Sequence, residues 1–285
     1  MDMNKKIGQI VILWIVGVLA ELCYQAHSAE AEAKMAPKKL SFQKVSISQP
    51  WQNSMGMKFV PVPGTKVLFC IWETRVKDYA IYANKYSNVE GSWENPVWEN
   101  IRVTPQDTCP VVCVSCDDAK AFCRWLTKLE QSLGLLESGY QYRLPTDAEW
   151  SVAVGLNNEG VGTASDKVEK VKGVYPWGTQ WPPPYKAGNY DDYSEFKIQE
   201  FKDGHPRTAP VGSFRPNQFG IYDLGGNVWE WCEDWDKNEE KYCILRGASW
   251  LNSFQSLLLS SFRNLNTAAL RSPSVGFRVV LEAFQ

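Results

Sequence analysis

The sequence predicts a single α+β domain that is rich in loops and has little regular secondary structure. Three observations support this fold class. The 285 residues include 20 Gly, 16 Pro and 13 Trp, which favours irregular loops held by bulky side chains over a helical bundle. Helix-type and strand-type patterns occur in the same stretch of chain. No internal repeat or change in composition marks a second core, so we expect one domain over residues 49–285.

The N-terminal segment has the pattern of an export signal. Lys5 and Lys6 precede an apolar run at residues 7–20, and small residues follow, among them Ala31. This run is shorter than the ~20 residues that a membrane-spanning helix needs. We therefore expect a signal peptide at residues 1–31, a linker at 32–48, and a periplasmic or extracellular location. The alternative is a retained N-terminal membrane anchor.

Three helices have recognisable starts. The first is predicted to begin at Thr74, where apolar residues follow with helical spacing. The second has Ser115 and Asp118 in the positions of a capping box, and the third has Thr146 and Glu149 in the same arrangement. These two boxes predict where the second and third helices start.

Four short segments have strand-type patterns: residues 58–62, 67–72, 111–114 and 277–281. Most of residues 155–275 is interrupted by Gly, Pro and Asn, so we predict mainly loops there. Loops of this length need support from something other than a strand ladder, and a bound ion is one such support.

Charge and histidine content exclude several classes of function. The 30 basic and 32 acidic residues nearly balance, and no basic stripe is present, so we expect no nucleic-acid partner. Of the two histidines, His27 falls in the predicted signal peptide, which leaves His205. Metal sites that need two or more histidines are therefore excluded. His205 lies in a predicted turn, and we expect its ring to face solvent.

The cysteines allow two interpretations. In an exported protein they can form disulfides. The two-residue spacing of Cys113 and Cys116, with Cys109 and Cys123 nearby, also suits a zinc site. We favour packing or a disulfide, because residues 111–114 have the pattern of a buried strand and Cys123 lies on the apolar face of the second helix.

Four carboxylates surround the turn at residues 225–227: Asp223, Glu230, Glu233 and Asp234. Clustered oxygen ligands and exposed backbone carbonyls suit calcium. A solvated surface is the second interpretation. An acid and base pair for glycoside hydrolysis is the third, because it needs an open cleft between two opposed carboxylates.

Six blocks of sequence, taken in order, resemble the formylglycine-generating enzyme, or sulfatase-modifying factor, family. The resemblance extends over about residues 56–281, and the blocks lie at residues 110–115, 142–150, 175–178, 210–235, 245–250 and 276–280. It implies a C-type-lectin-like fold that is supported by bound calcium. It also implies two sets of calcium ligands. The first set is Asp223, the carbonyls of Gly226 and Val228, and Glu230; the second is Asn189, the carbonyl of Tyr190, Asp203 and the carbonyl of His205.

The resemblance also bears on activity. Active members oxidise a sulfatase cysteine to formylglycine with two copper-binding cysteines that follow a Gly-x-Ser-Trp turn. Here the turn retains Ser249, but the two cysteine positions hold Asn252 and Leu257. Neither side chain supplies the soft thiolate that Cu(I) needs, so we expect no copper and no catalysis. The alternative is an oxidase with a reorganised site, in which Cys243 supplies a thiolate.

Residues 251–274 lie where the family receives its ligand, which we expect to be a protein, a peptide or a glycan. The candidate polar contacts are Asn252, Arg263, Asn264 and Arg271, although Arg263 could equally be a structural salt-bridge partner. A third interpretation of the chain is a structural component of a surface complex, which predicts a broad exposed apolar patch in place of a pocket.

Overall fold

The computed structural model describes residues 38–156, 159–168, 170–235 and 242–283. The predicted signal peptide, with His27 and Ala31, lies outside these ranges. Within them, no helix is both long and apolar enough to cross a membrane. One compact unit begins at Lys39 and contains all of the elements described below.

The described residues form eleven short strands, four α-helices and one short 3₁₀-helix at Phe42–Lys44. The strands are β1 (Trp51–Gln52), β2 (Lys58–Pro61), β3 (Val67–Cys70), β4 (Val97–Trp98), β5 (Ile101–Arg102), β6 (Tyr140–Arg143), β7 (Trp229–Trp235), β8 (Tyr242–Arg246), β9 (Asn264–Thr267), β10 (Val275–Gly276) and β11 (Val280–Ala283). The helices are α1 (Val76–Ala83), α2 (Cys116–Ser132), α3 (Asp147–Val154) and α4 (Ala164–Lys167). This mixture confirms the predicted α+β fold class.

Two sheets organise the domain. One is antiparallel throughout, with strand order β1-β2-β3-β11-β6. The second has the order β10-β7-β8-β9, and only its β10-β7 pair is parallel. Strands β4 and β5 form a separate hairpin. The chain passes from the second sheet to the first in the short link between β10 and β11.

Alternate residues of each strand in the first sheet point to opposite faces. Both faces are buried, because each one packs against a different apolar cluster. Phe59 and Leu68 belong to the larger core cluster, together with Phe122 of α2. Their neighbours Val60 and Phe69 belong to a second cluster, together with the α3 residue Trp150. Every residue of β3 is buried as a result.

Both predicted capping boxes are present. The Ser115 side chain accepts a hydrogen bond from the Asp118 amide at the start of α2, and Thr146 does the same for Glu149 at the start of α3. The first helix begins at Val76, two residues later than predicted, and Arg75 forms an ion pair of 2.7 Å with Asp78. Local capping chemistry fixed the start of α2 and α3, because its donors and acceptors lie three residues apart.

Two of the strand predictions are confirmed in β2 and β3, and the segment 277–281 contains the start of β11. The predicted strand at residues 111–114 is wrong. Its backbone bonds go to two different loops, from the Val111 amide to the Thr74 carbonyl and from the Cys113 amide to the Ser272 carbonyl. Cys113 also has a φ of +58°, which is incompatible with a strand.

The prediction of mainly loops over residues 155–275 missed the second sheet. Strands β7, β8 and β9 lie in this region and pair with each other along most of their length. β8 contains the apolar run Cys243, Ile244 and Leu245, and the alternation at the start of β7 ends at Cys232, because both strands are mostly buried. β9 does alternate, but it has only four residues. A strand buried on both faces lacks the period of two that identifies a strand from sequence.

Part of the predicted linker packs on the domain. Leu40 is buried, and its amide donates to the Leu135 carbonyl at 2.9 Å. The Phe42 ring stacks on Tyr140 with 6.1 Å between centroids. These two apolar side chains explain why the compact unit starts at Lys39, about ten residues before the predicted boundary.

All seven cysteines of the described residues are free thiols, and six of them are buried. In this part of the chain no group of three or more Cys, His, Asp and Glu side chains is arranged to hold a metal ion. The zinc alternative for Cys109, Cys113, Cys116 and Cys123 is therefore not supported. Burial in apolar surroundings raises the pKa of the Cys123 thiol, as expected for a cysteine that serves in packing.

A buried ion pair joins the two sheets. Arg278, in the link between β10 and β11, donates from Nε and Nη2 to the two carboxylate oxygens of Glu230 on β7, at 2.6 and 2.5 Å. Neither side chain is exposed to solvent. Arg278 also donates to the carbonyls of Cys70, Tyr222 and Asp223.

We predict that Arg278→Met lowers the free energy of unfolding by about 3–5 kcal/mol, because it leaves the buried Glu230 carboxylate without its partner. Urea unfolding measures this loss. The matched control is Arg124→Met on the exposed face of α2, which should change stability by less than about 0.5 kcal/mol. Equal effects of the two substitutions would contradict the central role of the ion pair.

Candidate functional site

The turn at residues 225–227 is held by the Asn227 side chain. Its Nδ2 donates to Glu73 Oε2 at 2.7 Å, and its Oδ1 accepts from the amide of Ala209 and from Asn189 Nδ2. Gly226 has a φ of +81°, and a Cβ at this position would lie 2.3 Å from the Asn189 carbonyl oxygen. The backbone segments that carry the two predicted ion sites therefore pack directly against each other.

Asp223 and Glu230, the two carboxylates of the first predicted ion site, have different environments. Glu230 has both oxygens bonded to Arg278 and also accepts from the Trp150 indole at 3.1 Å. Asp223 accepts from the Gly212 amide through Oδ2 at 2.8 Å. Its Oδ1 is buried and has no hydrogen-bond partner in the described structure.

Glu73 is a third carboxylate at this site, and it was not among the residues predicted from the sequence. It is fully buried, lies three residues after the end of the apolar strand β3, and accepts hydrogen bonds from Asn227 Nδ2 and from the Val228 amide. An acidic residue that follows an apolar strand was the available signal. Burial, and then the charges of Asp223 and Glu230, raise the pKa of Glu73. Burial also raises the pKa of Asp223 to about 6.

The second predicted ion site is built on a loop. The Asp203 carboxylate accepts from the amides of Tyr190 and His205, at 2.8 and 2.7 Å, so three of the four predicted ligands are neighbours. Burial raises the pKa of Asp203 to about 7. Asn189, the fourth, is fully buried, and its Oδ1 has no hydrogen-bond partner in the described structure. The His205 ring is half-buried against Phe214, so our expectation of a solvent-facing ring was only partly right.

These observations allow the fit of an ion to be tested. Each predicted ligand set contains one side-chain oxygen that is buried and accepts no hydrogen bond in the described structure: Asp223 Oδ1 in the first set and Asn189 Oδ1 in the second. A buried acceptor without a partner is unfavourable by about 1–3 kcal/mol, and a bound cation would satisfy it. Each set needs only one or two carboxylates, with amide and carbonyl oxygens, so the absence of a larger acidic cluster in the described residues does not conflict with it.

The turn that carries Ser249 is closed by Asn252. The Asn252 Oδ1 accepts from the Ser249 amide at 2.8 Å and from its hydroxyl at 2.9 Å. Leu257 is partly buried and packs against the main core cluster. The side chains at both cysteine positions of the family therefore have structural contacts.

Arg263 does not lie where we predicted a ligand contact. It is buried, and its guanidinium bonds to the carboxylates of Asp147 and Glu159 and to the Ser151 hydroxyl. Arg246 binds the same Asp147 carboxylate. The geometry therefore supports the alternative, a structural salt-bridge role, because all three guanidinium nitrogens of Arg263 already donate hydrogen bonds within the domain.

The remaining predicted contacts are more accessible. Asn264 is a half-buried residue of β9. Arg271 is part-exposed and forms ion pairs with Asp118 at 2.6 Å and with Glu90 at 3.2 Å. Arg271 thus ties the chain before β10 to the first turn of α2, and a ligand would have to compete with these two carboxylates.

The carboxylates of β7 do not form an acid and base pair. Glu230 is buried in its ion pair, whereas Glu233 forms an ion pair with Lys120 at 3.3 Å. Asp234 accepts a hydrogen bond from the Asp147 amide at the start of α3. These three side chains point to different parts of the domain, so the geometry gives no support to glycoside hydrolysis here.

Three cavities open around the loops at residues 174–225. A small one of about 50 Å³ lies beside the Ser249 turn, with Trp98, Arg207 and Trp250 among its lining residues. The next, about 290 Å³, has His205 and Lys186 in its wall. The largest, about 430 Å³, is lined by residues of the segments 154–155, 174–178, 184–187, 215–218 and 221–225.

Comparison with known proteins agrees with this architecture. The family model for the sulfatase-modifying factor enzyme 1-like domain matches residues 28–283. The structure of PvdO from Pseudomonas aeruginosa superposes with a TM-score of 0.54 at 23% identity, over 76% of this chain and 80% of PvdO. At this identity the similarity shows the fold alone, and it agrees with the predicted fold of the family.

The relatives of similar identity include one that is named as a formylglycine-generating enzyme and one that is named as inactive. The formylglycine-generating enzyme of Streptomyces coelicolor is 32% identical over 215 residues, which cover 69% of this chain and 60% of the relative. The inactive C-alpha-formylglycine-generating enzyme 2 of Bos taurus is 31% identical over 194 residues, 65% of this chain and 54% of the relative. The chain thus spans less than two thirds of each relative. Because the family model matches most of its length, the chain belongs to the sulfatase-modifying factor family.

Proposed function

We propose that this protein is an exported, non-catalytic member of its family, a calcium-supported domain that binds a protein, peptide or glycan. One observation carries this proposal. Asn252 and Leu257 stand at the two cysteine positions, and the first closes the Ser249 turn while the second packs on the core. Neither can provide the thiolate ligand of a Cu(I) site. A relative that is named inactive is compatible with this role.

The alternative is an oxidase with a reorganised thiol site, for which Cys243 is the candidate. Cys243 is fully buried in β8, and its thiol forms a hydrogen bond with Cys116, which lowers its pKa. A thiol in this position would have to leave the core to reach the Ser249 turn. The surroundings of Cys243 therefore favour the binding role over the oxidase.

Calcium is the second part of the proposal. Asp223 and Glu230 would hold one ion with the carbonyls of Gly226 and Val228, and the set of Asn189, Tyr190, Asp203 and His205 would hold the other. The two partnerless oxygens, Asp223 Oδ1 and Asn189 Oδ1, support both assignments. Glu73, Asp223 and Glu230 are buried around the single Arg278 guanidinium, and burial raises the pKa of Glu73 and of Asp223. A divalent cation would stabilise the ionised forms of these carboxylates.

The oxidase test uses a synthetic peptide with a Cys-x-Pro-x-Arg core, incubated with the protein, copper and oxygen. We expect mass spectrometry to show an unchanged peptide, because Asn252 and Leu257 supply no thiolate beside the Ser249 turn and the Cys116 and Cys243 thiols are buried in the core. Formylglycine in the product would contradict the proposal.

A gain-of-function variant serves as the control for the oxidase test. The double substitution Asn252→Cys and Leu257→Cys restores the two thiols, and we expect it to bind Cu(I) while each single variant does not. If the double variant also fails to bind Cu(I), the two positions were carried over from the family incorrectly.

For calcium, we expect chelation to lower the melting temperature by about 5–10 °C, since ligand at 100 times its Kd contributes about 2.7 kcal/mol. Differential scanning calorimetry with and without chelator measures this change. Asp223→Asn and Asp203→Asn should each reduce the response, whereas Glu137→Gln, an exposed surface substitution, should leave it intact. A melting temperature that is insensitive to chelator would exclude structural calcium.

Export is tested by expression of the full chain in a bacterium with a general secretory pathway. We expect mass spectrometry of the periplasmic fraction to find a mature chain that lacks residues 1–31, because residues 1–31 have the charge and apolar pattern of a signal peptide. An uncut chain in the membrane fraction would favour the retained anchor, and an uncut chain in the cytoplasm would contradict export.

A further inference from the structure

The cavity of about 430 Å³ is the largest of the three described above, and no residue of 249–257 is among the described residues of its wall. We call it the aromatic cavity, since Tyr175, Trp177 and Tyr185 are among its lining residues. Its volume is within the ~300–1,000 Å³ that is usual for small-molecule sites. None of the ligand contacts predicted from the sequence (Asn252, Arg263, Asn264 and Arg271) lines this cavity, although the predicted calcium ligand Asp223 forms part of its wall.

The aromatic wall is held in place before any ligand arrives. The Tyr175 and Trp177 rings stack with 4.8 Å between centroids and an interplanar angle of 5°. The Tyr175 hydroxyl accepts from Gln255 at 2.6 Å, and the Trp177 indole donates to the Gln180 carbonyl at 2.8 Å. Tyr175 is buried and supports the half-buried Trp177 ring from behind, so a ligand would contact mainly Trp177 and the exposed Tyr185 ring. A ring that is already fixed binds at little cost in conformational entropy.

Two cations stand beside this wall. Lys186 and Arg215 both line the aromatic cavity and are exposed, and the Arg215 amide donates to the Lys186 carbonyl at 3.2 Å. In the described part of the chain, neither side chain has an acidic partner within 4.0 Å, whereas the buried arginines Arg246, Arg263 and Arg278 all do. The positive charge at the aromatic cavity is therefore not balanced by a contact within the described domain.

Lys186 is also held in an unusual backbone conformation. Its φ of +64° is left-handed, which is unfavourable for a residue with a side chain. Its Nζ lies 5.8 Å from the centroid of the Tyr185 ring. Asp223 is the only acidic residue in the described wall, and it is almost fully buried. The accessible charge of the aromatic cavity is thus positive.

We propose that the aromatic cavity binds a small cyclic acid, such as a sugar unit that carries a carboxylate or a sulfate. The acidic group pairs with Lys186 and Arg215, and the apolar face of the ring lies against the aromatic wall. A sugar acid and an aromatic acid share this chemistry. The assignment rests on the proposed binding function and adds the class of ligand.

Isothermal titration of the full chain tests this proposal with four probes: glucuronic acid, galactose 6-sulfate, 4-hydroxybenzoate and neutral glucose. We expect at least one of the acids to bind with saturation and glucose to bind at least tenfold more weakly. The preferred acid then shows whether the ligand is a sugar or an aromatic acid. No binding of any acid, or equal binding of glucose, would overturn the proposal.

Matched variants locate the site. The double substitution Lys186→Met and Arg215→Met should weaken binding of the acid at least tenfold, and Tyr185→Ala should weaken it less. The control pair Lys197→Met and Lys202→Met removes the same charge from exposed positions outside the cavity and should leave affinity unchanged. Equal losses in the two double variants would mean a general charge effect and would overturn the assignment.

The two proposals can fail separately. Calcium dependence and the lack of formylglycine formation are measured without any acid, so a failure to bind acids in a protein that still responds to calcium overturns only the ligand class. Formation of formylglycine would instead contradict the proposed function, whatever the acids do.

Discussion

The ion pair between Arg278 and Glu230 is the interaction on which the rest of the structure depends. Arg278 lies where the chain passes from one sheet to the other, and Glu230 lies on the central strand pair of the second sheet. The same guanidinium bonds the carbonyls of Tyr222 and Asp223, just before the turn at residues 225–227. A single buried cation thus fixes the sheets and the candidate site together, because one guanidinium bonds Glu230 of the second sheet, Cys70 of the first and the chain before the turn.

The organisation of the candidate site follows from this constraint. With Glu230 committed to Arg278, the charges of Glu73 and Asp223 remain without an equivalent partner. Asn227 takes one oxygen of Glu73, and an amide takes one oxygen of Asp223. The remaining Asp223 oxygen is the strongest physical reason to propose a cation there, because burial without a donor is unfavourable for it.

A second network of buried ion pairs, centred on Asp147, makes residues 251–274 less available to a ligand than their sequence suggests. Asp147, which opens α3, binds both Arg246 of β8 and Arg263, which directly precedes β9. These two ion pairs anchor both ends of the segment that carries Asn252 and Leu257. Lys186 and Arg215, by contrast, lie at the wall of the aromatic cavity without an acidic partner in the described domain. Side chains that look equivalent in sequence therefore divide into structural and accessible groups according to whether a buried carboxylate faces them.

The sequence by itself determined the family and the fold class. It also determined the starts of α2 and α3, because the donor and acceptor of each capping box lie only three residues apart. The resemblance also predicts that Asn252 and Leu257 occupy the positions of the family's catalytic cysteines. Only the tertiary structure decided that residues 111–114 are not a strand, that β7 to β9 form a sheet, that Arg263 is structural and that Glu73 joins the candidate site. Two of these features depend on partners far away in the chain: Arg263 meets Asp147 across 116 residues, and Glu73 meets Asn227 across 154. Such pairing is set by packing, so the local pattern at Glu73 could mark an acidic residue but could not name its partner. The strands β7 and β8 pair with near neighbours, and they were missed because they are mostly buried and lack a regular period of two.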